Sequence, residues 1–224
     1  MTGSGDILTT IIAWAPAVIF SITLHEWAHG YMAFRFGDPT PAMTGRLTLN
    51  PIPHIDPIWT IAMPTVIFFF SMATMGQPFV FGGAKPVMIN SRNFRGHMRT
   101  AMFWVAAAGP LMNLILGLAC AMLLKAALLL PDFFSVPLGH MLIAGIQMNV
   151  LLAVFNLFPI LPLDGGRIVA ALLPHPMDQH FARLERLGFP ILLLLVFTGA
   201  LSQLILPPMI ALIEFFLHVA GVPV

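Results

Sequence analysis

His25-Glu26-Trp27-Ala28-His29 lies inside an apolar run from about Ile7 to Phe36, and that placement limits the possible folds more than any other feature of the chain. A helix over this run reaches roughly 45 Å at about 1.5 Å per residue, longer than the ~30 Å hydrocarbon core of a bilayer. Ionisable side chains at such depth must find partners, water or an ion. On a helix His25 and His29 lie one turn apart on one face, so both imidazoles can hold one zinc ion with Glu26 beside them as a base. The competing reading is that the three satisfy one another's hydrogen bonds in a polytopic bundle.

Composition places the rest of the chain in the same solvent. Hydrophobic residues make up 58% and charged residues 8%, against about a quarter charged in soluble domains. A polytopic α-helical membrane protein is expected, with about four to six transmembrane helices in 224 residues and no room for an appended soluble domain. Residues 1–224 read as a single membrane-embedded domain, with a catalytic core over about 7–167 and C-terminal helices over 168–224. Nine of the ten basic residues, all but Lys125 towards the far end of an apolar run, fall in three groups: Arg35 and Arg46; Lys85, Arg92, Arg95 and Arg99; Arg167, Arg183 and Arg186. The positive-inside rule puts these on the cytoplasmic side, and the N-terminal run reads as a retained helix with its start outside. No basic cluster interleaved with aromatics argues for nucleic acid. Cys120 is the only cysteine, so a metal must be held by histidine and carboxylate.

After Gly37-Asp38-Pro39 stops the first helix, Gly45-Arg46-Leu47-Thr48-Leu49-Asn50 alternates in the manner of a strand. Such a strand beside a buried metal site has an edge on which an extended substrate can pair, which makes Gly45, Leu47 and Leu49 candidate substrate contacts; a turn-rich loop fits the pattern equally. Residues 58–80 are apolar but interrupted by Pro64 and Pro78, and a full crossing would put the second basic group on the wrong side. A re-entrant or broken hairpin is expected there, followed by a second short extended piece over 82–87. The segment 100–130 predicts a long outgoing helix carrying Gly109-Pro110-Leu111-Met112-Asn113. Its Asn113 either joins helices or contributes at the site. Pro131 to Pro137 reads as an outer loop, and 138–157 as the returning helix. A further pass over 189–206, broken by Pro207-Pro208, precedes a last apolar piece.

The returning helix delivers Asn156-Leu157-Phe158-Pro159-Ile160-Leu161-Pro162-Leu163-Asp164-Gly165-Gly166-Arg167. Two prolines break the helix and two glycines permit a tight turn. Asp164 reaches the depth of His29 and is the best-placed third ligand, since the other glutamates, Glu185 and Glu214, lie in a basic segment and beyond a double proline; a helix cap is the alternative. Asn156 reads either as a donor to the oxygen that gains charge in hydrolysis or as a partner for carbonyls freed by the prolines.

Together these residues resemble the site-2 protease family of intramembrane zinc metalloproteases. Its first signature stands at His25, Glu26 and His29, and its second at Asn156, Pro159, Leu163, Asp164 and Gly165, with a small-residue motif similar to Gly109–Asn113 between them. The resemblance, to the compact bacterial type without a PDZ or CBS domain, implies one Zn2+ per chain and cleavage within or near a transmembrane segment of a substrate protein. It implies a lipid bilayer setting, in a bacterial inner membrane with the active site towards the cytoplasm. A membrane zinc peptidase acting on soluble peptides, and a non-enzymatic metal-binding protein, are the alternatives. Oligomeric state is not legible.

Overall fold

The computed structural model describes residues 4–62, 66, 83 and 85–222. Helix α1 (Ser4–Arg35) carries Pro16 within it. A four-residue helix, α2 (Thr40–Met43), follows. Then come a 3-10 turn at Ile52–His54, a π-helical turn at Pro57–Ala62, a non-helical stretch over 85–90 and a 3-10 turn at Ser91–Asn93. The long helices α3 (Met98–Ala127) and α4 (Asp132–Asn156) are joined by a short turn. Next are α5 (Asp164–Leu172), α6 (Met177–Arg183), α7 (Glu185–Phe197) and α8 (Ala200–Ala220).

Helix α3 is the hub, packing against α1, α4, α5 and α8. Over its first half it carries Ala101 and the continuous buried run Val105-Ala106-Ala107-Ala108-Gly109-Pro110, enclosed by its neighbours on all sides. Small residues of this kind let helix backbones approach closely where lipid offers no hydrophobic drive to associate. Towards α4 and α8 it presents larger groups: Ala121 and Leu124 join Ile146 and Val150 of α4, and Ile205 and Phe216 of α8, in the apolar core. The polar site and this core occupy different lengths of the same helix.

Three points of the sequence reading are corrected. Among the described residues there is no β-strand, so the expected short membrane-associated strands are absent there. Local bonds replace the expected ladder over Gly45–Asn50. Gly45 turns the chain at φ +68°, Arg46 N–H and Leu47 N–H both donate to Pro41 O, and Asn50 N–H donates to Thr48 Oγ1. Thr and Asn side chains compete with sheet pairing in this way. Of the second piece, over 82–87, the stretch from Lys85 is held by single bonds from loops and helices, with Lys85 N–H on His54 O.

Second, three helices among the described residues, α3, α4 and α8, are long and apolar enough to cross a membrane, where about four to six were expected. The re-entrant hairpin predicted over 58–80 lies outside the described residues beyond Ala62, apart from Val66.

Third, the C-terminal break falls elsewhere. Helix α7, with 13 residues, spans about 20 Å, short of a crossing. The chain then turns at Gly199, in the left-handed region at φ +73°, and α8 runs on through Pro207 and Pro208. Membrane helices tolerate such prolines because neighbours re-satisfy the freed carbonyls. Pro137 is likewise inside α4, which begins at Asp132 directly after Pro131, so the expected outer loop contracts to a turn.

Candidate metal centre

His25 and His29 project from α1 onto α3, and α3 determines how they sit. His29 Nδ1–H donates to Val105 O at 2.7 Å, and His25 Nδ1–H donates to Asn113 Oδ1 at 2.6 Å. A carbonyl oxygen and an amide oxygen only accept, so in both neutral rings the proton is on Nδ1 and Nε2 keeps its lone pair. The rings rest on Gly109, where a methyl group would overlap His29 Nε2 and lie 2.6 Å from His25 Cε1. The small-residue motif is therefore the floor of the site.

Asp164 arrives from the other half of the chain as the first residue of α5. The loop 157–163, with its cis Leu161–Pro162 bond, folds back over α5. A side chain at Gly165 would meet Leu157 and Phe158 carbonyls, and one at Gly166 would meet Leu161 N at 2.5 Å. The Asp-Gly-Gly sequence is what lets this loop close and aims Asp164 inward.

The three donor atoms converge. His25 Nε2 and His29 Nε2 are 3.1 Å apart, and Asp164 Oδ2 is 3.3 Å from the first and 3.2 Å from the second. All three residues are buried, and Asp164 Oδ2 has no hydrogen-bond partner. Two lone pairs and a carboxylate oxygen at these distances repel one another unless a cation lies between them. A tetrahedral zinc with bonds of about 2.0 Å keeps its ligands about 3.3 Å apart, so the donor set fits zinc in kind and in spacing. His25, His29 and Asp164 are the one such group of three among the described residues.

A cavity of about 140 Å³ opens beside the triad, with Glu26, Asn156, Val87 and Arg167 in its wall. Glu26 Oε2 accepts the backbone N–H of Val87 at 2.9 Å. Asn156 Nδ2–H donates to Leu152 O at 3.0 Å, so one N–H of this amide satisfies its own helix while the residue lines the cavity. The other expected contacts are elsewhere: Asn113 is fully buried against His25, Leu47 packs near Gly30, Leu49 is exposed, and a side chain at Gly45 would meet open space. None of these four lines the cavity.

Sequence reasoning missed Val87 and Arg167 as parts of this wall. For Arg167 a signal exists, since it stands one helical turn after Asp164 on the same face. For Val87 there was none, because a backbone N–H carries no residue identity.

The stretch bearing Val87 is anchored by Asp38, which is fully buried. Its carboxylate accepts from Thr40 N–H, Thr40 Oγ1–H, Asn93 Nδ2–H and Asn90 N–H at 2.6 to 3.1 Å. Burial pushes this carboxyl up, but the four donors outweigh it and hold it below the usual carboxylate range.

A membrane-embedded bundle with this donor set and an adjacent carboxylate defines a membrane metalloprotease, and comparison with known proteins gives the same class. The model of peptidase family M50 matches residues 132–199, the part that carries Asp164. YwhC of Bacillus subtilis, named as a zinc metalloprotease, is 38% identical over 197 residues, covering 86% of this chain and 83% of its own. Rip2 of Mycolicibacterium smegmatis, named likewise, is 31% identical, covering 89% of this chain and 70% of its own. Zinc metalloprotease MJ0392 of Methanocaldococcus jannaschii is 25% identical over 222 residues, half of its length. No solved structure matches. The chain belongs to peptidase family M50, the site-2 protease family of zinc metalloproteases, and is an integral membrane enzyme.

Proposed function

We propose that this enzyme hydrolyses a peptide bond within or near a transmembrane segment of a substrate protein, with one zinc ion held by His25, His29 and Asp164. The observation that carries the reading is the buried convergence of two imidazole lone pairs and an unpartnered carboxylate oxygen between apolar helices. Zinc bound there supplies a lowered pKa for water and a polarised scissile carbonyl.

The chain's own groups do the rest. Glu26 takes a proton from the attacking water and passes it to the leaving amine. Its Oε2 is held by Val87 N–H, which leaves Oε1 as the proton acceptor and fixes where it points. Asn156, with one amide N–H not engaged by Leu152 O, and Arg167 line this cavity and are the candidates to stabilise the negative charge that the carbonyl oxygen gains. Helical substrate backbone shields its carbonyls, so the substrate must unwind before it reaches the cavity. The basic residues Arg35, Lys85 and Arg167 at this end of the molecule support a cytoplasmic-facing site in a bacterial inner membrane.

The test is cleavage of model transmembrane substrates by protein in liposomes, comparing wild type with Glu26→Gln, with zinc content measured on both and a soluble peptide as control. Cleavage within the apolar segment that is lost in Glu26→Gln while zinc is kept is the expected result. Absence of stoichiometric zinc from folded wild type, or cleavage of the soluble peptide alone, would overturn the reading.

A further inference from the structure

Two carboxamides are buried in the membrane-spanning helices, Asn113 in α3 and Asn149 in α4. The hydrolytic reading uses neither as a reacting group. Such side chains are expensive in a bilayer, and their hydrogen bonds form a directed chain. Asn149 Nδ2–H donates to Gly145 O at 2.8 Å. Because that carbonyl only accepts, turning the Asn149 amide round would lose this short bond and set two oxygens face to face, so its Oδ1 faces Asn113. Asn113 Nδ2–H donates to Asn149 Oδ1 at 2.8 Å and to Ser21 O at 3.2 Å. Asn113 Oδ1 is then left to face His25, where it receives Nδ1–H at 2.6 Å. Each orientation forces the next, beginning at a backbone carbonyl of α4 and ending at the proton on the His25 ring.

We infer that Asn149 is a positioning residue for the metal centre: acting through Asn113, it fixes His25 in the tautomer whose Nε2 lone pair points at His29 and Asp164. The inference rests on the zinc reading above for its purpose. Without Asn149, Ser21 O, at 3.2 Å against the 2.8 Å of the lost bond, is the one acceptor left to orient Asn113 and holds it less firmly, and a turned amide would present N–H to His25 Nδ1. The imidazole proton would then move to Nε2, and the ring would lose its ligand lone pair. Partners behind a metal-bound histidine typically contribute 10- to 100-fold in metal affinity, and one step further back the lower figure applies.

The experiment uses full-length protein in detergent micelles, 15N-labelled at histidine and stripped of metal, with the His25 signals assigned by their loss in His25→Gln. Wild type is expected to show His25 protonated on Nδ1, and protonation on Nε2 would overturn the inference without any Asn149 variant. In Asn149→Leu the His25 signal is expected to become a mixture of tautomers, and zinc affinity, measured by competition with a chelator, to fall about tenfold. Asn149→Asp, whose protonated carboxyl donates to Gly145 O and accepts from Asn113, is expected to restore both. A Leu variant with wild-type tautomer and affinity within twofold of wild type, or an Asp variant no better than Leu, refutes the role. Absence of zinc binding by wild type would defeat the hydrolytic reading, while the tautomer comparison would still decide on Asn149.

Discussion

Gly109→Ala is the smallest change expected to abolish the site. A methyl group at position 109 would overlap His29 Nε2 and stand 2.6 Å from both His25 Cε1 and His29 Cε1. Carbon contacts are comfortable at about 3.5–4.0 Å, so the rings must retreat by about 1 Å. They cannot do so freely, because their Nδ1 atoms are tied to α3 at 2.6 and 2.7 Å. Metal–ligand distances tolerate about 0.2 Å, and a misplacement of about 1 Å costs on the order of 100-fold in rate. The expected outcome is a loss of zinc of at least about 100-fold in affinity, with cleavage falling in parallel. The helix itself gains, since Ala replaces Gly at about 1 kcal/mol in its favour, so the metal-free protein should remain folded. Gly139→Ala in α4 is the control: its methyl would sit 3.8 Å from Leu124 Cδ1, an ordinary contact, and zinc, cleavage and melting temperature should be unchanged or slightly improved. The assay is zinc content after dialysis, cleavage of a model substrate and thermal unfolding on the same samples. Full zinc and activity in Gly109→Ala would show that the histidines do not rest on α3 as described.

Gly188→Ala, in α7 and far from the metal in sequence, should also weaken zinc binding, by about tenfold or more. Its methyl would overlap the Leu161 carbonyl and lie 2.6 Å from Leu161 C, displacing the loop that aims Asp164; unchanged zinc affinity would disprove the coupling. Val87→Pro removes the N–H that holds Glu26, so turnover should drop about tenfold or more with zinc content retained, the size expected for a misdirected proton carrier. Equal turnover in the two proteins would mean that Glu26 is held by other means. Asp38→Asn should lower stability by about 1–3 kcal/mol at neutral pH by disturbing a buried acceptor with four donors. Because the folded carboxyl lies below its ordinary value, its contribution is present above the unfolded pKa of about 3.9 and is lost as pH falls through the folded value. The melting temperature of wild type should therefore fall more steeply than that of the variant on going from about pH 5 to below pH 3, and parallel curves would contradict this.

The long helices and the cluster of candidate metal ligands were legible because each left a pattern in the chain. The apolar runs gave α1, α3 and most of α4, and His25, Glu26, His29 and Asp164 stood out as ionisable groups in segments where such groups are costly. The expected strand over Gly45–Asn50 failed for a reason present in its own residues: Thr48 and Asn50 bond locally, which alternation alone does not register. Pro207-Pro208 looked like a helix end but lies within α8, since an apolar membrane helix tolerates proline better than a helix in water. Val87 was invisible because its contribution is main-chain, and Asn149 because an amide is informative only once its partners are known.

Helix α3 supplies Val105 O, Gly109 and Asn113 to the two histidines, and these span about two turns. Their spacing makes the histidine pair a gauge of axial register between α1 and α3. A slide of α3 by a full turn, about 5.4 Å, would take the carbonyl from His29, the amide from His25 and the glycine from beneath both rings at once. Because all three contacts depend on one register, a force or a bound segment that moved α3 along its axis would act on both histidines together.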